Sequence, residues 1–128
     1  MGIEQIRKYL HEMTLLKQWV CYEIEKKKNT KKPTKIPKYV INNRISYASS
    51  TDEKTWMSFE EAIEAQKKYT VSGIGFVFSK SDPFCGIDLD GCRNEMTGLI
   101  EPWALEIIND FNCYTEITPS GKGFHLIC

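Results

Sequence analysis

Residues 84–90, with the sequence FCGIDLD, alternate apolar and acidic side chains in the pattern of a half-buried β-strand. Successive side chains of a strand point to opposite faces, so Asp88 and Asp90 project from one face and Ile87 and Leu89 from the other. The apolar face belongs against a hydrophobic core. Two carboxylates this close repel each other unless a cation lies between them. The segment therefore predicts a sheet with one covered face and one acidic face.

The rest of the chain mixes helical and strand patterns. Residues 3–16 carry apolar side chains near helical spacing. Ser58 and Glu61 form a capping box that begins a second helix, and Pro102 suits the first turn of a third. Strands are expected at residues 19–24, 73–79, 84–90, 114–118 and 124–128, and the second and third of these are expected to form an antiparallel hairpin across the turn at 80–83.

Length and composition limit the class of protein. The 128 residues fit one domain with a modest core. No apolar run approaches the roughly 20 residues of a membrane-spanning helix, and the N-terminus lacks a signal-peptide pattern, so a cytoplasmic protein is expected. The five cysteines include no Cys-x-x-Cys pair, and their odd number argues against a disulfide framework. We expect them to be reduced and mostly buried, with structural zinc as the alternative.

The net charge of zero conceals an uneven distribution of charge. Residues 1–48 contain 11 Lys and Arg against 4 Asp and Glu, whereas residues 49–128 contain 6 against 13. A polyanion is attracted to the first part and repelled by the second unless metal ions intervene. Residues 26–38 contain seven lysines and two prolines, which predicts a loop or hairpin arm whose second limb can be a strand only at a sheet edge. Two prolines flank Lys35 and can aim it, while the other lysines read as solvated surface.

Asp88 and Asp90 have the spacing that two-metal phosphoryl-transfer sites use. Mg²⁺ and Mn²⁺ prefer hard oxygen ligands and neutralise a triphosphate and an attacking oxygen together. Asp-x-Asp also occurs at strand ends, where one aspartate caps a turn, and Gly91 directly after Asp90 fits that role equally well. The spacing by itself leaves both interpretations open.

A second candidate site is the loop TPSGKG at residues 118–123, together with His125. Gly121 and Gly123 allow the loop to turn its amides inward as an anion-binding nest, Lys122 supplies a charge, and His125 is placed to donate to a phosphate oxygen. The loop lacks the spacing of a P-loop. A simple hairpin turn with a solvated lysine is the alternative, but a phosphate cradle and a carboxylate pair in one small domain favour a metal-nucleotide site.

Five segments, in this order, resemble the primase-polymerase domain of phage and plasmid replication proteins, a branch of the archaeo-eukaryotic primase superfamily. The last of the five is the most specific, and together they span most of the chain from about Trp19 onward. The segments are KPTKIP at 32–37, TW at 55–56 before the helix at 58, GIGFVF at 73–78, GIDLD at 86–90 and YTEITPSGKGFH at 114–125.

The resemblance implies an α+β fold with an RRM-like palm sheet of mainly antiparallel strands and an N-terminal αβ unit packed beside it. The family's third catalytic carboxylate lies in a strand beyond the histidine motif, and the chain stops within an apolar strand pattern. We therefore expect residues 1–128 to be an incomplete N-terminal fragment of a larger replication protein. Full-length relatives commonly carry a C-terminal helicase.

The resemblance also implies roles for individual residues. Asp88 and Asp90 are expected to bind Mg²⁺ or Mn²⁺ and, with His125, to form the catalytic group. His125 is expected to contact the phosphates of the incoming nucleoside triphosphate. The other residues expected to approach nucleotide or template are Ser120, Gly121, Lys122, Gly123 and Lys35.

Two functions are compatible with these features. The first is metal-dependent, template-directed transfer of nucleotides to a 3′-hydroxyl on a single-stranded DNA template, as a DNA primase or polymerase does. The alternative is a non-catalytic module that holds single-stranded nucleic acid with the lysine arm while the acids are structural. A nuclease of the topoisomerase-primase type ranks below both, because no upstream glutamate lies in a convincing setting for it.

Overall fold

A computed structural model of the chain describes residues 2–26 and 33–128. Residues 27–32, the middle of the predicted lysine arm, lie outside the described residues. The chain divides into two compact units, Gly2–Val77 and Phe78–Cys128. Within the described ranges, no helix is long and apolar enough to cross a membrane.

The first unit contains a four-stranded antiparallel sheet. Helix α1 (Ile3–Tyr9) and a 3₁₀ turn (His11–Leu15) precede the first strand, so the helix predicted over residues 3–16 keeps its α geometry only in its first half. A second 3₁₀ turn (Glu53–Thr55) and helix α2 (Phe59–Tyr69) lie between the third and fourth strands. The strands are β1 (Trp19–Glu25), β2 (Thr34–Ile41), β3 (Arg44–Tyr47) and β4 (Gly73–Phe76), in the order β3-β2-β1-β4.

Helix α2 begins at the predicted capping box. The Ser58 hydroxyl accepts from the Glu61 amide at 3.1 Å, and the Glu61 carboxylate accepts from the Ser58 amide at 3.2 Å. The apolar side of α2 packs on one face of the sheet, where the rings of Phe59 and Trp19 lie 4.8 Å apart. The buried Trp19 indole also donates to the Met13 carbonyl at 3.0 Å, which joins the N-terminal segment to the same core.

The proline-containing limb, residues 33–37, supplies the first part of β2, a strand that lies between β1 and β3. Only β1 pairs with residues 34–37, so the limb itself has one strand neighbour, as an edge position requires. The two ladders of β2 are staggered: β1 pairs with residues 34–38 and β3 with residues 38–41. The Pro37 carbonyl accepts from the Ala48 amide at 2.9 Å, just past the end of β3. Because the amide position and carbonyl of a strand residue point to the same side, the missing amide of Pro37 also faces that side and removes no hydrogen bond to β1.

The second unit is a three-stranded sheet covered on one face by a helix. Strands β5 (Gly86–Leu89), β6 (Tyr114–Ile117) and β7 (Phe124–Ile127) have the order β5-β7-β6, and helix α3 (Pro102–Phe111) connects β5 to β6. Strand β7 is antiparallel to both neighbours, so β5, α3 and β6 form a split β-α-β unit. The helix packs on the face that carries the buried Leu89, Phe124 and Leu126. Together the two units confirm the α+β fold.

The hairpin predicted between residues 73–79 and 84–90 is wrong. Strand β4 pairs with β1, and β5 pairs with β7 in the other sheet. The pairing with β1 continues past β4, since the Val77 amide donates to the Gln18 carbonyl at 2.7 Å. The Asp82 carboxylate then accepts from the amides of Ser79 and Phe84, both at 2.7 Å. This side-chain-capped turn is not a tight hairpin turn, and it leaves each strand to pair elsewhere.

The expectation that every cysteine is reduced is also wrong. Cys113 and Cys128 form a disulfide with a Cα–Cα distance of 5.3 Å. They are the next cross-strand pair after Tyr114 and Ile127, a register that cysteine spacing alone does not reveal. Of the free cysteines, Cys21 and Cys92 are buried and Cys85 is exposed. Burial raises the pKa of the Cys21 thiol to about 11, so it stays protonated at neutral pH.

Reduction of this disulfide is expected to lower the free energy of unfolding by about 3 kcal/mol, because the cross-link closes a loop of roughly 15 residues in the unfolded chain. Urea unfolding with and without dithiothreitol measures the effect. A Cys113→Ser/Cys128→Ser chain serves as control and should respond to the reductant by no more than about 0.5 kcal/mol. Equal stability of the wild type in both buffers would contradict the prediction.

Candidate active site

Three polar side chains form a row across the face of the second sheet that lies opposite α3. The registers place Asp88 of β5 opposite His125 of β7, and His125 opposite Glu116 of β6. Leu89, Phe124 and Ile117, one position along each strand, point to the α3 face. The alternation that predicts a half-buried strand therefore carries Asp88 and His125 to the same surface.

His125 lies between two carboxylates. Its Nε2 is 3.4 Å from Asp88 Oδ1, and its Nδ1 is 3.5 Å from Glu116 Oε1. The Tyr114 hydroxyl donates to the other Glu116 oxygen at 3.0 Å. The Asp88 side chain is 75% exposed and that of Glu116 is 18% exposed. Glu116 is thus a held, inner neighbour of the imidazole, while Asp88 is open to a ligand.

Asp90 lies one residue beyond β5 and is exposed. Gly91 follows it with φ +63°, which ends the strand. Within the described part of the chain, neither Asp88 nor Asp90 accepts a hydrogen bond from a backbone amide.

The loop at residues 118–123 is a compact turn held largely by its own hydrogen bonds. The Gly121 amide donates to the Thr118 carbonyl at 2.8 Å, and the Lys122 amide donates to the Ser120 hydroxyl at 3.3 Å. The Thr118 and Ser120 hydroxyls are 3.1 Å apart. Two amides of the expected nest are therefore engaged within the loop. The groups left facing outward are the exposed side chains of Ser120 and Lys122.

The segment that follows Asp90 anchors this loop. The amides of Cys92 and Arg93 donate to the Lys122 carbonyl at 2.9 and 3.0 Å, and the Arg93 guanidinium donates to the Gly121 carbonyl at 2.8 Å. Gly123 lies directly against the Leu89 carbonyl, and a Cβ on Gly123 would be 3.3 Å from the Asp90 Cα. The carboxylate pair and the glycine loop, 28 or more residues apart in sequence, are brought together at one end of β5.

Two residues near this site were not predicted from the sequence, and one residue that was predicted lies in the other unit. Glu116 and Arg93 were not singled out as site residues, because their positions depend on strand register and on a loop contact rather than on a local motif. The polar residues at positions 114, 116 and 118 alternate as on one face of a strand, and this pattern was the signal that could have placed Glu116 on the face of His125. Lys35 lies on β2 of the first unit, with its Nζ 4.6 Å from the centroid of the Tyr22 ring.

The donor set suits a hard divalent cation. Asp88 and Asp90 offer carboxylate oxygens, the ligands that Mg²⁺ and Mn²⁺ prefer. Among the described residues, no group of three or more His, Cys, Asp and Glu side chains is arranged to hold a metal. Mg²⁺ is commonly bound by one or two carboxylates, with water and substrate phosphates completing its shell. The two aspartates therefore match the number and type of protein ligands that such an ion commonly has.

Comparison with known proteins identifies the family of the chain. No protein-family model matches the chain. The chain is 41% identical over 110 residues to a protein named DNA primase-polymerase from Nitratiruptor phage NrS-1. The match covers 86% of this chain, which spans about 14% of the length of the phage protein. Over the matched region, the chain belongs with the primase-polymerases of phage replication proteins, the family that its ordered motifs predict.

Proposed function

We propose that this domain takes part in metal-dependent DNA priming or polymerisation, in which a nucleoside triphosphate is joined to a 3′-hydroxyl on a single-stranded template. The observation that carries the proposal is the surface on which Asp88, Asp90, His125 and the loop at residues 118–123 meet. It combines anionic ligands for a cation with basic groups for a triphosphate. The phage relative is named a DNA primase-polymerase, which supports priming or polymerisation as the reaction.

The roles of the residues follow from their chemistry. Asp88 and Asp90 would hold Mg²⁺ or Mn²⁺, and the ion would supply charge neutralisation of the triphosphate. Gly123 of the loop at residues 118–123 packs against the backbone of Leu89 and Asp90. The exposed Lys122 ammonium and Ser120 hydroxyl of the same loop would bind phosphate oxygens. His125, held by Glu116 on one side, would present Nε2 toward the same place. Most of the catalytic work is then positioning and charge stabilisation.

The decisive experiment measures primer synthesis and extension by the protein with Mg²⁺ or Mn²⁺. The Asp88→Ala/Asp90→Ala variant should lose activity with either metal, and chelation by EDTA should remove the activity of the wild type. Circular dichroism confirms that the variant is folded. Equal rates for the wild type and the double variant would sink the proposal.

A second candidate is a non-catalytic module that binds single-stranded nucleic acid. It is favoured by the exposed Lys35, whose Nζ lies 4.6 Å from the centroid of the Tyr22 ring, since a cation beside an aromatic ring suits a single strand. Salt-sensitive single-strand binding that is indifferent to metal and nucleotide, together with no primer synthesis, would select this function.

A further inference from the structure

The four-stranded sheet of the first unit has two chemically different faces. Strand alternation and register place Tyr22, Lys35, Tyr39 and Arg44 on one face, which we call the tyrosine face. The opposite face of β1 carries Trp19 and Cys21 and is covered by α2. Both acidic residues of β1, Glu23 and Glu25, alternate onto that covered side.

The tyrosine face is cationic and accessible. Among the described strand residues, it carries two cations, Lys35 and Arg44, and no acid. Both cations are exposed, and Ile24 and Ile41 on the same face are 48% and 45% exposed. Val20, at the start of β1 on this face, is buried against Trp56 and Val77, so the open part of the face is the part around Tyr22, Lys35 and Arg44. An open surface with aromatic, aliphatic and cationic groups but no anion is complementary to a flexible polyanion that carries flat apolar rings.

The Tyr22 ring lies across the neighbouring strand because Gly73 stands opposite it. A Cβ on Gly73 would be 2.9 Å from Tyr22 Cε1, so the missing side chain is what lets the ring occupy that place. Gly75 is the next residue of β4 on this face, and a Cβ on Gly75 would be 3.9 Å from Tyr22 Cδ1. The Tyr22 ring therefore packs against the backbone of these two glycines.

We propose that the tyrosine face binds single-stranded nucleic acid, with a base stacked on Tyr22 and phosphates contacted by Lys35 and Arg44. Lys35 Nζ already lies 4.6 Å from the Tyr22 ring centroid, so the charge and the stacking surface are adjacent. Single strands are bound by this combination of aromatic platforms and backbone-tracking cations, whereas the bases of a duplex are already stacked on each other. The proposal rests on the proposed function only in identifying the strand as a template.

A matched control exists on the other face of the same sheet. Lys38 Nζ lies 3.7 Å from the centroid of the Tyr47 ring, and Tyr47 is 69% exposed. This pair has the same two residue types as Lys35 and Tyr22, but it alternates onto the side that α2 covers. Substitution of Tyr47 therefore shows what the loss of any tyrosine beside a lysine does to binding, and substitution of Tyr22 shows what the loss of the tyrosine face does.

The test is fluorescence anisotropy of a labelled thymidine oligonucleotide with the chain, without metal or nucleotide. Tyr22→Leu should raise Kd about tenfold, as expected for the loss of one stacked base. Tyr22→Phe keeps the ring and should bind as the wild type does, and Tyr47→Leu should also leave Kd unchanged. Replacing Lys35 and Arg44 by Gln should each lower the slope of log Kd against log salt concentration by about 0.7.

Three outcomes would overturn the proposal. They are equal Kd values for Tyr22→Leu and wild type, equal losses for Tyr22→Leu and Tyr47→Leu, and tighter binding of duplex than of single strand. Thermal melting confirms that each variant is folded. The binding assay contains no metal and no nucleotide, so it does not depend on nucleotidyl transfer. If the protein fails to transfer nucleotides, the binding result is unaffected. Loss of binding by Tyr22→Leu is therefore distinguishable from loss of nucleotidyl transfer.

Discussion

Asp88→Asn is expected to lower the rate of primer extension by about a thousandfold, which corresponds to roughly 4 kcal/mol of lost transition-state stabilisation. The change removes one of the two anionic ligands proposed for the metal and keeps the shape of the side chain. A carboxamide oxygen carries no net charge, so it cannot compensate a divalent cation beside a triphosphate. The effect should appear with both Mg²⁺ and Mn²⁺.

The same substitution should leave the fold intact. The Asp88 side chain is 75% exposed, and its Oδ1 lies 3.4 Å from the imidazole Nε2 of His125. Exposed substitutions of this kind typically change the free energy of unfolding by no more than about 0.5 kcal/mol. Urea unfolding of the variant checks this, and it separates loss of chemistry from loss of structure.

Glu116→Gln provides the matched control, because it makes the same chemical change on the other side of the same imidazole. Glutamine keeps one oxygen, which can face His125 Nδ1. Its amide nitrogen takes the place of the oxygen that accepts from the Tyr114 hydroxyl and can instead donate to that hydroxyl, so the ring stays in place. We expect a loss of no more than about tenfold, the cost of weakening one hydrogen bond by roughly 1 kcal/mol. Equal thousandfold losses for both variants, or an active Asp88→Asn protein, would contradict the assignment of Asp88 as the ligand and Glu116 as the support.

Features written in local sequence could be predicted. Asp88 and His125 follow from alternation and from a recognisable motif, because each depends on its immediate neighbours. The start of α2 at Ser58 depends on two residues three positions apart, and the structure confirms it. The loop at residues 118–123 was located for the same reason.

Features that depend on partners distant in sequence could not be predicted. Glu116 reaches His125 only through the register of β6 on β7, and a shift of one residue would turn it to the α3 face. The disulfide between Cys113 and Cys128 depends on the same register. Strand β4 pairs with β1, more than 50 residues earlier, rather than with the adjacent β5. Local apolar patterns carry no information about which strand becomes the neighbour.

Gly123→Ala is expected to reduce the free energy of unfolding by about 3 kcal/mol, at the upper end of the cost of overpacking a well-packed site. An added Cβ would overlap the Leu89 carbonyl oxygen and lie 3.2 Å from its carbon and 3.3 Å from the Asp90 Cα. These are backbone atoms of a paired strand and its end, so they cannot move aside as a flexible side chain does. The midpoint of urea unfolding measures the loss.

Gly91→Ala is the control for the loss of a glycine as such. Gly91 has φ +63° and nothing within 4 Å of a Cβ position, so its substitution costs only the strain of a left-handed backbone, about 1 kcal/mol. A Gly123→Ala chain no less stable than the Gly91→Ala chain would contradict the close-approach argument. The expected difference also reaches the site, because relief of the overlap must separate the loop carrying Lys122 from Asp90. Gly123→Ala should therefore weaken nucleotide binding even under conditions in which the variant stays folded.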